Sequence, residues 1–178
     1  MKFRKHIRLK EFDYSNPNYY FITICADYRK KLFVPRVSRK YGDLLSRDVT
    51  TNVVAASYAA KNTDIVEKTF HRLQQDYYEN LEVDFYCIMP DHFHVILAFH
   101  DHVRRKGAIR SRNYKLSDVI TASKSLVTRQ IGFSVFQPNF YEHVIRSDSS
   151  LERIRNYILH NPFAAHHDIP WKQLDPNI

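Results

Sequence analysis

The chain has 178 residues, with 27 lysines and arginines against 19 aspartates and glutamates, for a formal net charge of +8. That length suits one domain with a real core. No apolar run approaches the length needed to cross a bilayer, and with Cys25 and Cys87 as the only cysteines there is neither a disulfide framework nor a CxxC metal site. Both cysteines sit in strand-like apolar runs and are expected as buried free thiols. A basic surface favours polyanions, nucleic acid foremost. The 12 tyrosines and 12 phenylalanines, interleaved with basic groups, suit unpaired bases that stack on rings, while most of these rings belong in the core.

The opening Met1-Lys2-Phe3-Arg4-Lys5-His6 is charged and no signal-type apolar stretch follows, so an intracellular, cytoplasmic protein is expected. Residues 1–14 form a basic arm. Tyr19 to Ala26, rich in aromatic and β-branched residues, reads as a central strand. A loop from Arg29 to Asp43 leads into a long helical region carrying Val53, Val54, Ala56, Ile65, Val66, Phe70 and Leu73 at partial helical spacing. Asn62-Thr63-Asp64 is a candidate break or cap in that helix, which should end near Asn80. Val83 to Met89 and His92 to Phe99 then form an antiparallel hairpin around the turn signal Pro90-Asp91. His100 to Lys115 reads as a charged loop. A second amphipathic helix runs from Ser117-Asp118 to Ile131 with Val119, Ile120, Leu126, Val127 and Ile131 inward, and Tyr141 to Arg146 makes a short strand. A last helix starts at Ser149, where Glu152 completes a candidate capping box, and stops at Asn161 because Pro162 follows. Residues 166–178 form a tail.

Strand, helix, hairpin, helix, strand is the split β-α-β, ferredoxin-like plan: an α+β fold with an antiparallel sheet and two helices on one face. The C-terminal helix is an addition that must pack against this platform.

The chemistry-bearing stretch is Met89-Pro90-Asp91-His92-Phe93-His94-Val95-Ile96-Leu97. Strand side chains alternate, so His92 and His94 project from one side, about 7 Å apart along the backbone. Such a pair is either two converging metal ligands or one satisfied core histidine beside one facing solvent. On the last helix Tyr157 and Asn161 stand four apart and so share a face. Asn161 offers an amide oxygen as a third ligand and Tyr157 a phenol as a nucleophile. Equally, Tyr157 suits the core between Ile154 and Ile158, and Asn161 suits a helix end. His100, His102, His166 and His167 are not brought to this site by any periodicity.

Taken in order, His92-Phe93-His94 after Met-Pro-Asp, then Gln137-Pro138-Asn139-Phe140-Tyr141-Glu142-His143-Val144-Ile145-Arg146, then Arg153, Tyr157-Ile158 and Asn161-Pro162 form a joint pattern. With Tyr20-Phe21-Ile22-Thr23-Ile24 and Lys124-Ser125, it resembles the REP-associated tyrosine transposases, relatives of the insertion-sequence transposases within the single-tyrosine HUH nuclease superfamily. The likeness spans a catalytic domain of residues 15–165. It implies that His92 and His94 are the paired metal ligands, Asn161 the third, and Tyr157 the catalytic tyrosine. It also implies a divalent metal, Mg²⁺ or Mn²⁺, and cutting and rejoining of single-stranded DNA beside hairpins formed by palindromic repeats, through a 5′-phosphotyrosine. Such a protein works on the nucleoid, without a membrane, as a monomer or homodimer. The alternative is a silent module of the same fold that binds hairpin DNA or RNA. Asp91 stands where the relatives usually carry Asn, placing an extra carboxylate beside the site.

A phenol ordinarily ionises at about pH 10, so positive charge near Tyr157 should assist it, with the metal first and Arg153, one turn earlier, second. His143 is expected as structural or close to DNA. Lys124, Arg129, Arg146, Arg104, Arg105, Arg110 and Arg112, with Arg4 and Arg8 of the arm, are the expected phosphate and DNA contacts.

Overall fold

The computed structural model describes residues 9–38, 53–108 and 112–161. Five strands form one antiparallel sheet: β1 (Asn18–Cys25), β2 (Arg36–Val37), β3 (Tyr78–Ile88), β4 (His92–Arg105) and β5 (Tyr141–Ile145), in the order β2-β3-β4-β1-β5. Helices α1 (Val53–Arg72), α2 (Leu116–Ile131) and α3 (Asp148–His160) complete it. Without the two-residue β2, the order is that of the expected ferredoxin-like plan.

Alternation along β1 divides the molecule. Tyr20, Ile22, Ile24 and Ala26 face the main core, where α1 and α2 contribute Val66, Phe70, Val119, Ile120 and Val127. Phe21, on the other side, meets Phe85, Cys87, Ile96 and Ile145 of the sheet and Leu151, Ile154 and Ile158 of α3. The sheet is therefore covered on both faces, with α3 alone on the second. Arg155 of α3 makes a bidentate ion pair with the buried Asp84 of β3, at 2.8 and 2.7 Å, which fastens the helix to the sheet.

Several boundaries differ from the sequence expectation. Asn62-Thr63-Asp64 neither breaks nor caps α1. The Asn62 amide donates to the Leu32 carbonyl, Thr63 Oγ1 accepts from the Val34 N–H, and Asp64 pairs with Arg36 at 2.6 Å. These polar side chains bind the segment leading into β2, and the helix continues. It passes through a wide π-helical turn, Leu73–Tyr77, and ends there rather than near Asn80. Strand β3 starts at Tyr78, and β4 runs on to Arg105 through the expected loop. Glu79 opposite Arg104 supplies a cross-strand charge pair in that extension. Asn80, at φ 62°, absorbs the register shift between Glu79 and Leu81, a conformation Asn tolerates. On α3 the N-cap is Ser147, whose hydroxyl accepts from the Ser150 N–H, two residues before the expected Ser149. Both cysteines are buried and free. No helix among the described residues is long and apolar enough to cross a membrane.

Candidate active site

The turn that opens β4 is held from several sides. The Met89 N–H donates to the His92 carbonyl, the Ala26 N–H to the Asp91 carbonyl, and the N–H groups of Leu32 and Phe33 to that of Pro90, all at 2.8–3.0 Å. This clamp sets the register in which Cys25 lies opposite His92 and Thr23 opposite His94. With period-2 alternation, Phe21, Thr23, Cys25, His92 and His94 all face α3.

The two imidazoles converge, with centroids 4.9 Å apart. His92 Nδ1 lies 2.6 Å from Asp91 Oδ1. A carboxylate only accepts, so Nδ1 carries a proton toward Asp91 and Nε2 is the ring nitrogen turned to the site. The other Asp91 oxygen pairs with Arg29 Nε at 2.8 Å. His94, 4% exposed, shares a 2.8 Å hydrogen bond between Nδ1 and Thr23 Oγ1. Its Nε2 is buried without a hydrogen-bond partner. Burial first, then the neighbouring His92 and Arg29, push the His94 pKa down to about 3, so its imidazole is neutral, as a metal ligand must be.

Tyr157 reaches this pair from α3. Its ring centroid stands 5.5 Å from that of His94, and Phe21 packs against both rings, at 5.4 Å from His94 and 6.1 Å from Tyr157. Asn161 follows one turn later at the C-cap, its N–H donating to the Tyr157 carbonyl at 3.0 Å. Ile154, Ile158 and Tyr157 set the sheet-facing stripe of α3, and Asn161 extends that stripe by helical spacing. Among the described residues no three His, Cys, Asp or Glu side chains converge on a metal position. A metal at the histidine pair therefore needs Asn161 or ligands from substrate and water. The orphaned Nε2 of His94 and the oriented Nε2 of His92 suit that role chemically.

Among the described residues, the expected DNA contacts do not gather here. With β4 14 residues long, Arg104 and Arg105 stand roughly 40 Å from His92, at about 3.3 Å per residue. Arg146 follows β5 level with Phe99, between His92 and Arg104 along the sheet, since Ile145 pairs with Tyr19 and Tyr19 with Ala98. Arg112 lies over the Tyr114 ring at 4.4 Å and near Asp118. Lys124 donates to the carbonyls of Gln137, Pro138 and Asn139, so its ammonium ties α2 to the segment before β5. Arg129 is exposed in the last turn of α2, on the face away from α3. Arg153 is exposed and donates to Ser150 Oγ rather than toward Tyr157. Arg4, Arg8, Arg110 and the tail lie outside the described residues.

Three residues here escaped the sequence reading. Thr23 was visible only as a polar residue in phase with Phe21. Arg29 and Asp84 carried no local signal, because their partners Asp91 and Arg155 are some 60 to 70 positions away.

Comparison with known proteins agrees with this architecture. The model of the family described as IS200-like transposases matches residues 14–161. An uncharacterized protein of Haemophilus influenzae is 25% identical over 186 residues, covering 93% of this chain and 91% of its own. Among solved structures, a REP-associated tyrosine transposase bound to a REP hairpin superposes with a TM-score of 0.55 at 17% identity, over 92% of this chain and 74% of that one. That likeness concerns the fold. With the family match spanning the sheet and all three helices, this chain belongs to the IS200-like transposases.

Proposed function

We propose that this transposase nicks and rejoins single-stranded DNA beside hairpin-forming, REP-like repeats, with Tyr157 as nucleophile. The observation that carries the reading is the Tyr157 ring 5.5 Å from His94, whose partner histidine is 4.9 Å further on, all within one chain. The solved relative bound to a REP hairpin supports hairpin DNA as the partner.

His92, His94 and Asn161 would hold a Mg²⁺ or Mn²⁺ ion, which when bound supplies Lewis-acid charge to non-bridging phosphate oxygens. The chain's own residues do the rest. Asp91 and Thr23 fix the two imidazoles so that their Nε2 atoms are the ones available to the site. Tyr157 Oη attacks the phosphorus, forming a phosphotyrosine at the 5′ side while the 3′ oxygen leaves as a hydroxyl. The phosphodiester bond energy is retained in the tyrosyl ester, so a DNA 3′-hydroxyl can attack it and release the phenol. This reversibility is why a tyrosine rather than a water suits strand transfer. The docking of α3 through Leu151, Ile154, Ile158 and Arg155 holds the phenol against its own chain's histidines.

The test uses labelled oligonucleotides with a palindromic stem and unpaired flanks, incubated with Mn²⁺ or Mg²⁺ and separated on a denaturing gel. The wild-type chain should cut and leave a protein–DNA adduct. Tyr157→Phe should lose the adduct and at least a hundredfold in cleavage rate while still binding. Tight binding by the wild type with no cut in either metal would instead identify a silent hairpin-binding module.

A further inference from the structure

The segment leaving β1 is not used by the chemistry above, yet it wraps the turn that presents His92. Asp27 N–H donates to the Val135 carbonyl at 2.8 Å, and Ala26, Leu32 and Phe33 donate to the Pro90-Asp91 carbonyls. Between these anchors, Tyr28 and Arg29 are consecutive residues at φ 51° and 53°. Residues with side chains enter that left-handed region only where their surroundings impose it. A turn needing nothing else is served by Gly or Asn.

The outcome of this geometry is an exposed ring on the residue next to Arg29, whose guanidinium borders the site. Arg29 Nη1 donates to Cys25 Sγ at 3.2 Å and its Nε pairs with Asp91, so the guanidinium lies on the α3 face beside His92. Tyr28, its neighbour, is 83% exposed, the highest value for any large hydrophobic residue among those described. Lys30 Nζ stands 5.9 Å from the Tyr28 ring centroid, and Lys31 is exposed next to it. An aromatic face flanked by cations is the composition that tracks an unpaired strand: the ring stacks a base and the ammonium groups meet the phosphates.

We propose that Tyr28 is the stacking platform for an unpaired base adjoining the phosphate at His92 and His94, with Lys30 and Lys31 on the flanking phosphates. This rests on the DNA reading given above, and it adds a base-contacting residue outside the catalytic set. The contact fixes which nucleotide lies next to the scissile bond.

The experiment places 2-aminopurine at one position at a time along the unpaired flanks of a palindromic hairpin oligonucleotide. One or two adjacent positions should be quenched on binding the wild-type protein. Tyr28→Ala should abolish that quenching and weaken binding of the flanked hairpin about tenfold, leaving a blunt hairpin without flanks unaffected. Tyr28→Phe should behave as the wild type. Tyr28→Asn, suited to positive φ, should match Tyr28→Ala, which separates loss of the ring from loss of the turn. If the wild type binds and cuts but the Ala and Asn variants keep its quenching pattern and affinity, Tyr28 contacts no base and the inference fails alone. Equal weakening toward blunt and flanked hairpins also overturns it, as does loss of quenching in Tyr28→Phe. A wild-type protein that neither binds nor cuts removes the DNA reading and this inference together.

Discussion

His94 shows how one residue's surroundings set its chemistry. Buried on strand β4, bonded at Nδ1 and orphaned at Nε2, it has a folded-state pKa near 3, against about 6.5 for an exposed imidazole. Between those values the unfolded chain takes up a proton that the folded chain refuses. Its contribution to stability is therefore complete above about pH 6.5 and is lost progressively as pH falls toward 3. Urea midpoints of the metal-free protein should decline from pH 7 to pH 4, and the decline should be shallower in His94→Phe. An equal decline in both would mean that other groups govern acid sensitivity. Cys87, beside it in the register, is of the opposite type: burial pushes its thiol up to about 12, leaving it a neutral apolar neighbour rather than a ligand.

At the scale of elements, the decisive docking is that of α3. Its apolar stripe lies on the sheet face opposite α1 and α2, and the Arg155–Asp84 pair pins it there. Asp84 is almost wholly buried, so removing Arg155 takes a bidentate guanidinium partner away from a desolvated charge. Arg155→Ala should cost about 3 kcal/mol, a drop of roughly 10 °C in melting temperature for a chain of this size. Cleavage should fall as well, because Tyr157 is two residues further along the same helix. Calorimetry and the nicking assay measure the two effects. An unchanged melting temperature would show that the apolar stripe alone seats the helix. The Ser147 cap is a smaller term, about 1 kcal/mol on substitution by Ala.

Across the whole molecule, the candidate site and the Arg104–Arg105 pair occupy opposite ends of β4. His92 opens β4, whereas Arg104 and Arg105 close it; Arg146, after β5, stands between them along the sheet, level with Phe99. Under the proposed DNA reading, a duplex stem lying toward the distal end would meet the guanidinium groups of Arg104 and Arg105, with its unpaired flank at the histidines. Arg104→Gln with Arg105→Gln should therefore weaken hairpin binding at low salt and reduce the salt slope by about one unit for each phosphate no longer neutralised. Cleavage at saturating DNA should be retained. Titrations at several salt concentrations check the slope, and an unaltered slope would place the stem elsewhere.

Local pattern was enough to reveal the order of the elements other than β2, which falls in the expected Arg29–Asp43 loop, the hairpin at Pro90-Asp91, and the pairing of His92 with His94 and of Tyr157 with Asn161 on common faces. Those features follow from the periods 2 and 3.6 and from turn chemistry, which neighbouring residues carry by themselves. The chain between Leu73 and Asn80 was misread because its residues suit a helix end and a strand start alike. There the outcome depended on pairing with Phe99, Arg104 and Arg105. Asn62-Thr63-Asp64 was misread because its polar groups find partners at Leu32, Val34 and Arg36, out of reach of any local rule. The sequence by itself thus determined which side chains share a strand or helix face. The tertiary structure alone decided which faces meet: α3 over His94, Thr23 behind its ring, and Arg29 on Asp91. Those meetings depend on strand register and helix docking, which are settled by interactions between residues far apart in the chain.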